Sequence, residues 1–280
     1  MPKVSVVIPC YNHGHFVGRA VDSVWAQGVE DIEVLIIDDG STVKETIDIL
    51  NDFPKTKATV LRKENGHLSS ARNYGIRHAK REYILLLDAD DFFAPSFLRK
   101  AIPILDSNPE VGVVTCLTQN FGIRSDRPTV KTGGKLIDFL TANPCNASCL
   151  IRKKCWEEVG GFDETMKGGY EDWDFWIALT EKEWFIHSIP EHLFHYYVAR
   201  NSMVVHSDRK RPKLIRRLVQ NHPEAFKKHI DHVVFKKECE IQRLRDELDK
   251  LRGSAANRIG RLLTNPFGIL AGLQNRILGK

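Results

Sequence analysis

The chain has 280 residues, 42% apolar and 28% charged, which is ordinary globular composition with apolar material for one large domain plus an appendage, or for two modest domains. Six cysteines without a CxxC pair argue against a disulfide framework. No run approaches the roughly 18 apolar residues of a membrane span, and Val4 to Pro9 is too short for a signal peptide, so synthesis and folding in the cytoplasm are expected. The net charge of +5 is uneven, because residues 207–280 hold 18 Lys and Arg against 8 Asp and Glu, whereas residues 1–206 are net acidic.

The first half alternates strands and helices. Val4 to Ile8 is a short β-branched run, and Phe16, Val17, Ala20, Val21, Val24 and Trp25 follow at helical spacing. Ile32 to Ile37 is unbroken apolar at its centre, as a strand buried on both faces should be. A helix over Val43–Leu50, a strand at Ala58–Leu61, a helix over Ser69–Ala79 and a strand at Tyr83–Leu87 come next. Pro95 opens a helix to about Leu105, and Val111–Leu117 is a fifth strand. This order predicts an α/β fold with a doubly wound, mostly parallel sheet, whose ligand lies beyond the carboxyl ends of the strands.

Residues 119–146 carry weak periodicity and many turn formers, an excursion of the kind that usually bears function. Cys149–Ile151 has strand character and Glu171–Leu179 helix character. Cys145, Cys149 and Cys155 lie close together but lack a fourth ligand at zinc spacing, and are read as buried free thiols. After about Val205 the sequence turns basic and helical, so the expected domains are 1–205 and a C-terminal helical extension, 206–280. Val234, Ile241 and Leu248 recur every seven residues with Leu244 and Leu251 between them, a possible homodimer seam interrupted by Lys237. Phe267, Ile269, Leu270, Leu273 and Ile277 form one apolar face in basic surroundings, which suits docking on an anionic membrane surface. The tail has no zinc-finger, homeodomain or RNA-recognition signature, so nucleic acid is not an expected partner.

Three groups of carboxylates fall where chemistry is expected. Asp38-Asp39 follows the second strand, Asp88-Ala-Asp90-Asp91 follows the fourth, and Glu171-Asp172 opens a helix. Crowded like charges at a sheet rim fit a hard divalent cation, Mg²⁺ or Mn²⁺. The plainer alternative is that Asp38 and Asp88 only cap the turns that follow them. A P-loop is excluded by the absence of GxxxxGK[ST], and the first strand runs into Cys10-Tyr-Asn-His-Gly14 rather than GxGxxG. A diphosphate held by a cation and by Arg72 fits what remains.

Ser5-Val-Val-Ile-Pro-Cys-Tyr-Asn12, Glu33-Val-Leu-Ile-Ile-Asp-Asp-Gly-Ser41, Ala71-Arg-Asn73, Leu87-Asp-Ala-Asp-Asp91, Gly160-Gly-Phe-Asp163 and Tyr170-Glu-Asp172 occur in this order. Over roughly residues 3–205 the chain thereby resembles the family-two inverting glycosyltransferases of the GT-A fold. The resemblance implies a nucleoside site at Pro9, Tyr11 and Asp39, and a donor-binding Arg72. It implies a DXD motif in which Asp88 faces the ribose and Asp90 binds the metal, and Asp172 as catalytic base. It also implies a nucleotide-sugar donor, most often a UDP-sugar, and a glycan or lipid-linked acceptor in cell-surface polysaccharide synthesis. A base at a helix start is expected to keep a low pKa. One stretch departs from the family pattern: His195-Tyr-Tyr-Val-Ala-Arg200-Asn-Ser202 has Tyr197 and Ala199 where relatives place Arg and His. Trp156 and Trp173 are candidates for stacking on an acceptor sugar. The competing reading is a catalytically inactive nucleotide-sugar-binding scaffold.

Overall fold

The protein is described from a computed structural model that covers residues 4–128, 132–200 and 210–253. Eight strands form one sheet: β1 (Val4–Cys10), β2 (Glu33–Asp38), β3 (Thr59–Arg62), β4 (Tyr83–Leu86), β5 (Phe92–Phe93), β6 (Val111–Gly122), β7 (Leu150–Arg152) and β8 (Phe185–Val198). Their spatial order is β3-β2-β1-β4-β7-β6-β8-β5. The pairs β1–β2, β1–β4, β2–β3 and β6–β8 are parallel, while β7 runs antiparallel to both its neighbours and β5 antiparallel to β8. The expected mostly parallel α/β sheet is therefore present.

Among the described residues, seven helices connect or flank the strands: α1 (Gly14–Trp25), α2 (Lys44–Asn51), α3 (His67–His78), α4 (Phe97–Ser107), α5 (Leu136–Phe139), α6 (Lys153–Val159) and α7 (Glu171–Glu181). Strands β1 and β4 are buried along their whole length. On one face Val4, Val6, Ile8 and Ile36 pack with Val17, Val21 and Val24 of α1 and with Phe97, Leu98 and Leu105 of α4. On the other face α3 lies against β1 and β2 so closely that a Cβ on Gly75 would sit 2.4 Å from Val7 Cγ1. That proximity keeps Arg72, one turn earlier, beneath the sheet rim.

Two strands were not visible in the periodicity. The 14-residue β8 contains Pro190, Glu191 and three histidines, is only partly buried, and carries register shifts against β6. The two-residue β5 is made by pairing with β8, not by any local pattern.

The compact unit that contains the sheet runs through Lys228, so it includes α8 (Arg211–Asn221) and α9 (Pro223–Lys228). Leu214, Leu218, Ala225 and Phe226 are its buried anchors. A second unit begins at His229 and contains α10 (Ile230–Gly253). The expected boundary near Val205 and the apolar face from Phe267 to Ile277 lie outside the described residues. No helix among the described residues is long and apolar enough to cross a membrane.

His222, between α8 and α9, is buried and fastens this region to α7. Its Nδ1 lies 2.7 Å from Glu181 Oε2 and its Nε2 3.2 Å from Asp174 Oδ1, and Asn221 Nδ2 donates to Asp174 Oδ1 at 2.7 Å. Burial opposes the imidazolium, but hydrogen bonds and charge from Asp174 and Glu181 outweigh it and raise the pKa to about 9. A folded pKa above the unfolded value of about 6.5 means the stabilisation is fully present below pH 6.5 and is lost as pH rises towards 9. The unfolding free energy from urea titration should fall by about 3 kcal/mol between pH 6.5 and 9, and His222→Gln should abolish that dependence.

Candidate active site

At the end of β1, Asn12 turns into the left-handed region (φ 59°), which asparagine tolerates better than most residues. Its side-chain Oδ1 accepts the backbone N–H groups of Thr42 and Val43 at 2.8 and 2.9 Å, and its own N–H donates to Ser41 Oγ. The ends of β1 and β2 are thus tied together. Pro9 is buried within β1 opposite Ile37, and Tyr11 emerges from its end with 46% of its area exposed.

Beside this lies Asp39, buried, with Oδ1 accepting from Lys63 Nζ at 2.7 Å and from the Gly66 N–H at 3.0 Å. Gly40 takes φ +72°, and a Cβ there would approach Asn65 N to 2.8 Å, so only glycine lets the following loop close over Asp39. Gly40, Arg62, Lys63, Glu64 and Asn65 line a recess at this point. Asp38 has the plainer role: its Oδ1 accepts the Ser41 N–H and Arg62 lies 3.5 Å from Oδ2.

Asp88 does not simply cap a turn. Arg72 Nη2 donates to both its oxygens, at 2.8 and 3.2 Å, while Arg72 Nη1 donates to Glu171 Oε1 at 2.9 Å. Arg72 is fully buried, with Phe162 beneath the guanidinium at 5.5 Å. Burial disfavours its charge, but Asp88 and Glu171 more than offset this and hold it firmly protonated. Its terminal nitrogens are spent on two carboxylates, so Arg72 joins the β4 end to the start of α7.

Asp91 is buried and accepts the Tyr197 N–H at 2.7 Å, which fixes β8 to the same corner; burial and repulsion from Asp90 and Asp88 push its pKa well up. Asp90 is also raised, first by burial and then by Asp88, with His13 and Arg19 partly compensating. Among the described residues its carboxylate meets no partner side chain by hydrogen bond, and no cluster of three His, Cys, Asp or Glu is disposed to hold a metal. A carboxylate under this strain is relieved by a cation, and Mg²⁺ commonly takes one or two carboxylates and completes its shell with substrate phosphates and water. The Asp90 carboxylate therefore fits a divalent cation.

Asp172 sits at the start of α7. Gly168, Gly169 and Tyr170 all have positive φ, and this left-handed turn carries the chain into the helix; Tyr170 adopts it at φ 66° against the preference of its side chain. Asn143 Nδ2 donates to Asp172 Oδ2 at 2.9 Å, and the Trp173 N–H donates to Oδ1 at 2.8 Å. The low pKa expected from the helix dipole is not found. Burial and the neighbouring Glu171 charge push it up to about 7, more than Arg72, Asn143 and the Trp173 N–H bring it down. The half-buried Tyr196 hydroxyl is pushed up by burial and then by Asp91, Asp88, Asp90 and Asp172 together, so the motifs converge on one place.

Asn143 was not singled out from the sequence; it comes from the excursion after β6 and also lines a cavity of about 210 Å³ with Thr118, Cys145 and Asn146. Trp173 is too enclosed for the stacking role considered for it, while Trp156 is half-buried. Trp173 is buried with Nε1 donating to Phe139 O, and Trp156 Nε1 donates to Asn73 Oδ1. His195 lies flat on Phe92 at 4.3 Å, its pKa lowered by burial and by Arg127. Tyr197, where relatives place arginine, packs on Phe16 and Phe121. Cys145, Cys149 and Cys155 are buried free thiols.

Arg72→Lys cannot reproduce the fork between Asp88 and Glu171. It should lower the unfolding free energy by about 3 kcal/mol, since breaking a buried ion pair leaves charge uncompensated, and denaturant titration of the variant measures this.

Residues 5–161 match the model of glycosyl transferase family 2. An uncharacterized glycosyltransferase from Rickettsia bellii is 32% identical over 189 residues, covering 64% of this chain and 27% of that protein. The chondroitin synthase of Pasteurella multocida is 29% identical over 194 residues, covering 67% of this chain and 20% of the synthase. The chain thus spans a third or less of the length of these relatives. Among solved structures, S. aureus TarS 1–349 in complex with UDP-GlcNAc superposes with a TM-score of 0.64 at 18% identity, covering 78% of this chain and 66% of that one, which establishes likeness of fold. With more than half of its length matched by the family model, and with the family's motifs gathered at one sheet rim, the chain belongs to glycosyl transferase family 2.

Proposed function

We propose that the chain is an inverting, metal-dependent glycosyltransferase that moves a sugar from a nucleoside-diphosphate sugar, a UDP-sugar, to a hydroxyl of a glycan or lipid-linked acceptor in polysaccharide synthesis. The observation that carries this reading is Asp172. A carboxylate with a pKa of about 7 is matched to accept a proton from a hydroxyl near neutral pH, and it stands next to Glu171, which Arg72 ties to the DXD strand end. The relationship to chondroitin synthase supports the polysaccharide setting.

In this mechanism Asp39, with Pro9 and Tyr11, holds the nucleoside, and Asp88, fixed by Arg72, faces the ribose. Asp90 would hold Mn²⁺ or Mg²⁺, and the cation would supply Lewis-acid neutralisation of the charge on a diphosphate leaving group. Asp172 removes the acceptor proton, and Asn143 keeps its carboxylate aimed. One direct displacement inverts the anomeric centre, so no second nucleophilic carboxylate is required.

Asp172→Asn should lower turnover by about two to four orders of magnitude while donor affinity, measured by calorimetry, barely changes. A general base works when ionised, so wild-type kcat/KM should rise with pH and level off above about 7, and Asn143→Ala, which removes a donor to the charged form, should move that limb to higher pH. Lost donor binding in Asp172→Asn would shift that residue from catalysis to substrate binding.

Asp90→Asn should abolish most transfer and flatten the dependence on divalent ions. Undiminished wild-type activity in EDTA would exclude the metal.

Asp39 can accept from a ring N–H, which uracil, thymine and guanine present and neutral cytosine does not. Uridine diphosphate should therefore raise the Tm in a nucleotide panel and cytidine diphosphate should not. Stabilisation by cytidine nucleotides alone would refute the assignment.

A further inference from the structure

Helix α10 is 24 residues long, about 36 Å, and carries an apolar stripe that its own unit leaves in solvent. Ile230, Val234, Ile241, Leu244, Leu248 and Leu251 each keep between 42% and 62% of their area exposed. They fall on one heptad seam: Val234, Ile241 and Leu248 at a, and Ile230, Leu244 and Leu251 at d, with Lys237 at the remaining d position. Lys237 Nζ lies 2.8 Å from Glu240 Oε2, so its charge is turned out of the seam and its methylene stem is left along it.

We propose that α10 pairs with α10 of a second copy of this chain as a parallel two-stranded coiled coil. Two features of the sequence on this helix select that partner. Valine and isoleucine at two of the three a positions, with leucine at two of the four d positions, favour two strands over three or four. The flanking charges then select the direction. Val233, Glu240 and Glu247 occupy g, and Asp231, Glu238, Arg245 and Arg252 occupy e. In a parallel pair g of one heptad faces e of the next heptad on the partner, which sets Glu240 against Arg245 and Glu247 against Arg252 on both sides of the seam. In an antiparallel pair e meets e, which sets Asp231 against Arg252 and Glu238 against Arg245, but g meets g, which leaves glutamate near glutamate on the other flank. The contacts these groups make within the single helix, such as Arg243 to Glu247 at 4.0 Å and Arg252 to Asp249 at 3.8 Å, are exposed surface pairs and exchange at little cost. The acidic g flank also makes this face a poor fit for an anionic membrane.

The pairing is independent of the proposed chemistry. Sedimentation velocity of the full chain should give twice the 32.0 kDa monomer mass, and Ile241→Asp with Leu244→Asp should return it to the monomer with α-helical circular dichroism of the catalytic unit retained. Glu240→Arg with Glu247→Arg, and separately Arg245→Glu with Arg252→Glu, should each yield monomers alone and heterodimers when mixed. Leu248→Cys in a Cys239→Ser background should cross-link to a covalent dimer with oxidised glutathione, because only the parallel arrangement brings the two copies of position 248 together. A monomer throughout the micromolar range, a trimer, a dimer whose mass survives the seam substitutions, absence of the cross-link, or flotation on phosphatidylserine vesicles that is lost with the seam substitutions in a monomeric protein would overturn the proposal.

Discussion

The arrangement of the site depends on one buried cation. Arg72 is a fixed fork with no solvent to stabilise it, and its position is set from three sides: Gly75 lets α3 close on the sheet, Phe162 lies under the guanidinium, and Asp88 and Glu171 take its terminal nitrogens. Asn73, the next residue, binds Phe162 through both N–H and C=O, so the Gly160-Gly-Phe-Asp163 turn is latched to the same helix. Without Arg72, Asp88 and Glu171 would be like charges facing each other across the gap between a strand end and a helix start. With it, they are held apart at a defined span.

The same cation leaves a pattern of unequal carboxylates. Asp88 and Glu171 are paired, Asp91 accepts the backbone of β8, and Asp38 accepts a turn N–H. Asp90, Asp91 and Asp172 carry the electrostatic load of their neighbours, each raised by burial and by nearby acids. Neighbours in the chain thus fare differently: Arg72 holds Asp88 and Glu171, while burial and those two acids raise Asp90 and Asp172.

Much of this was legible in the sequence. Strands buried on both faces announce themselves as unbroken apolar runs, so β1, β2 and β4 and the acids that end them could be placed by pattern alone. Where elements are made by long-range pairing, pattern fails: β8 is half exposed and interrupted by Pro190, and β5 exists only as its partner. Asn143 was invisible for a related reason, since its contact with Asp172 spans 29 residues of turn-rich chain. The ionisation of Asp172 was misjudged because a helix dipole is a local property, whereas burial and the Glu171 charge belong to the assembled site.

The bond network of His222 bears on what counts as a self-sufficient catalytic unit. Residues that look like the start of a basic tail in fact supply the counter-charge for α7, the helix that carries Asp172. A chain ended after β8 would keep every motif of the family and still leave Asp174 buried without Asn221 and His222. Motif boundaries and folding boundaries therefore need not coincide, and trimming to the motifs would loosen α7, the helix that carries Asp172.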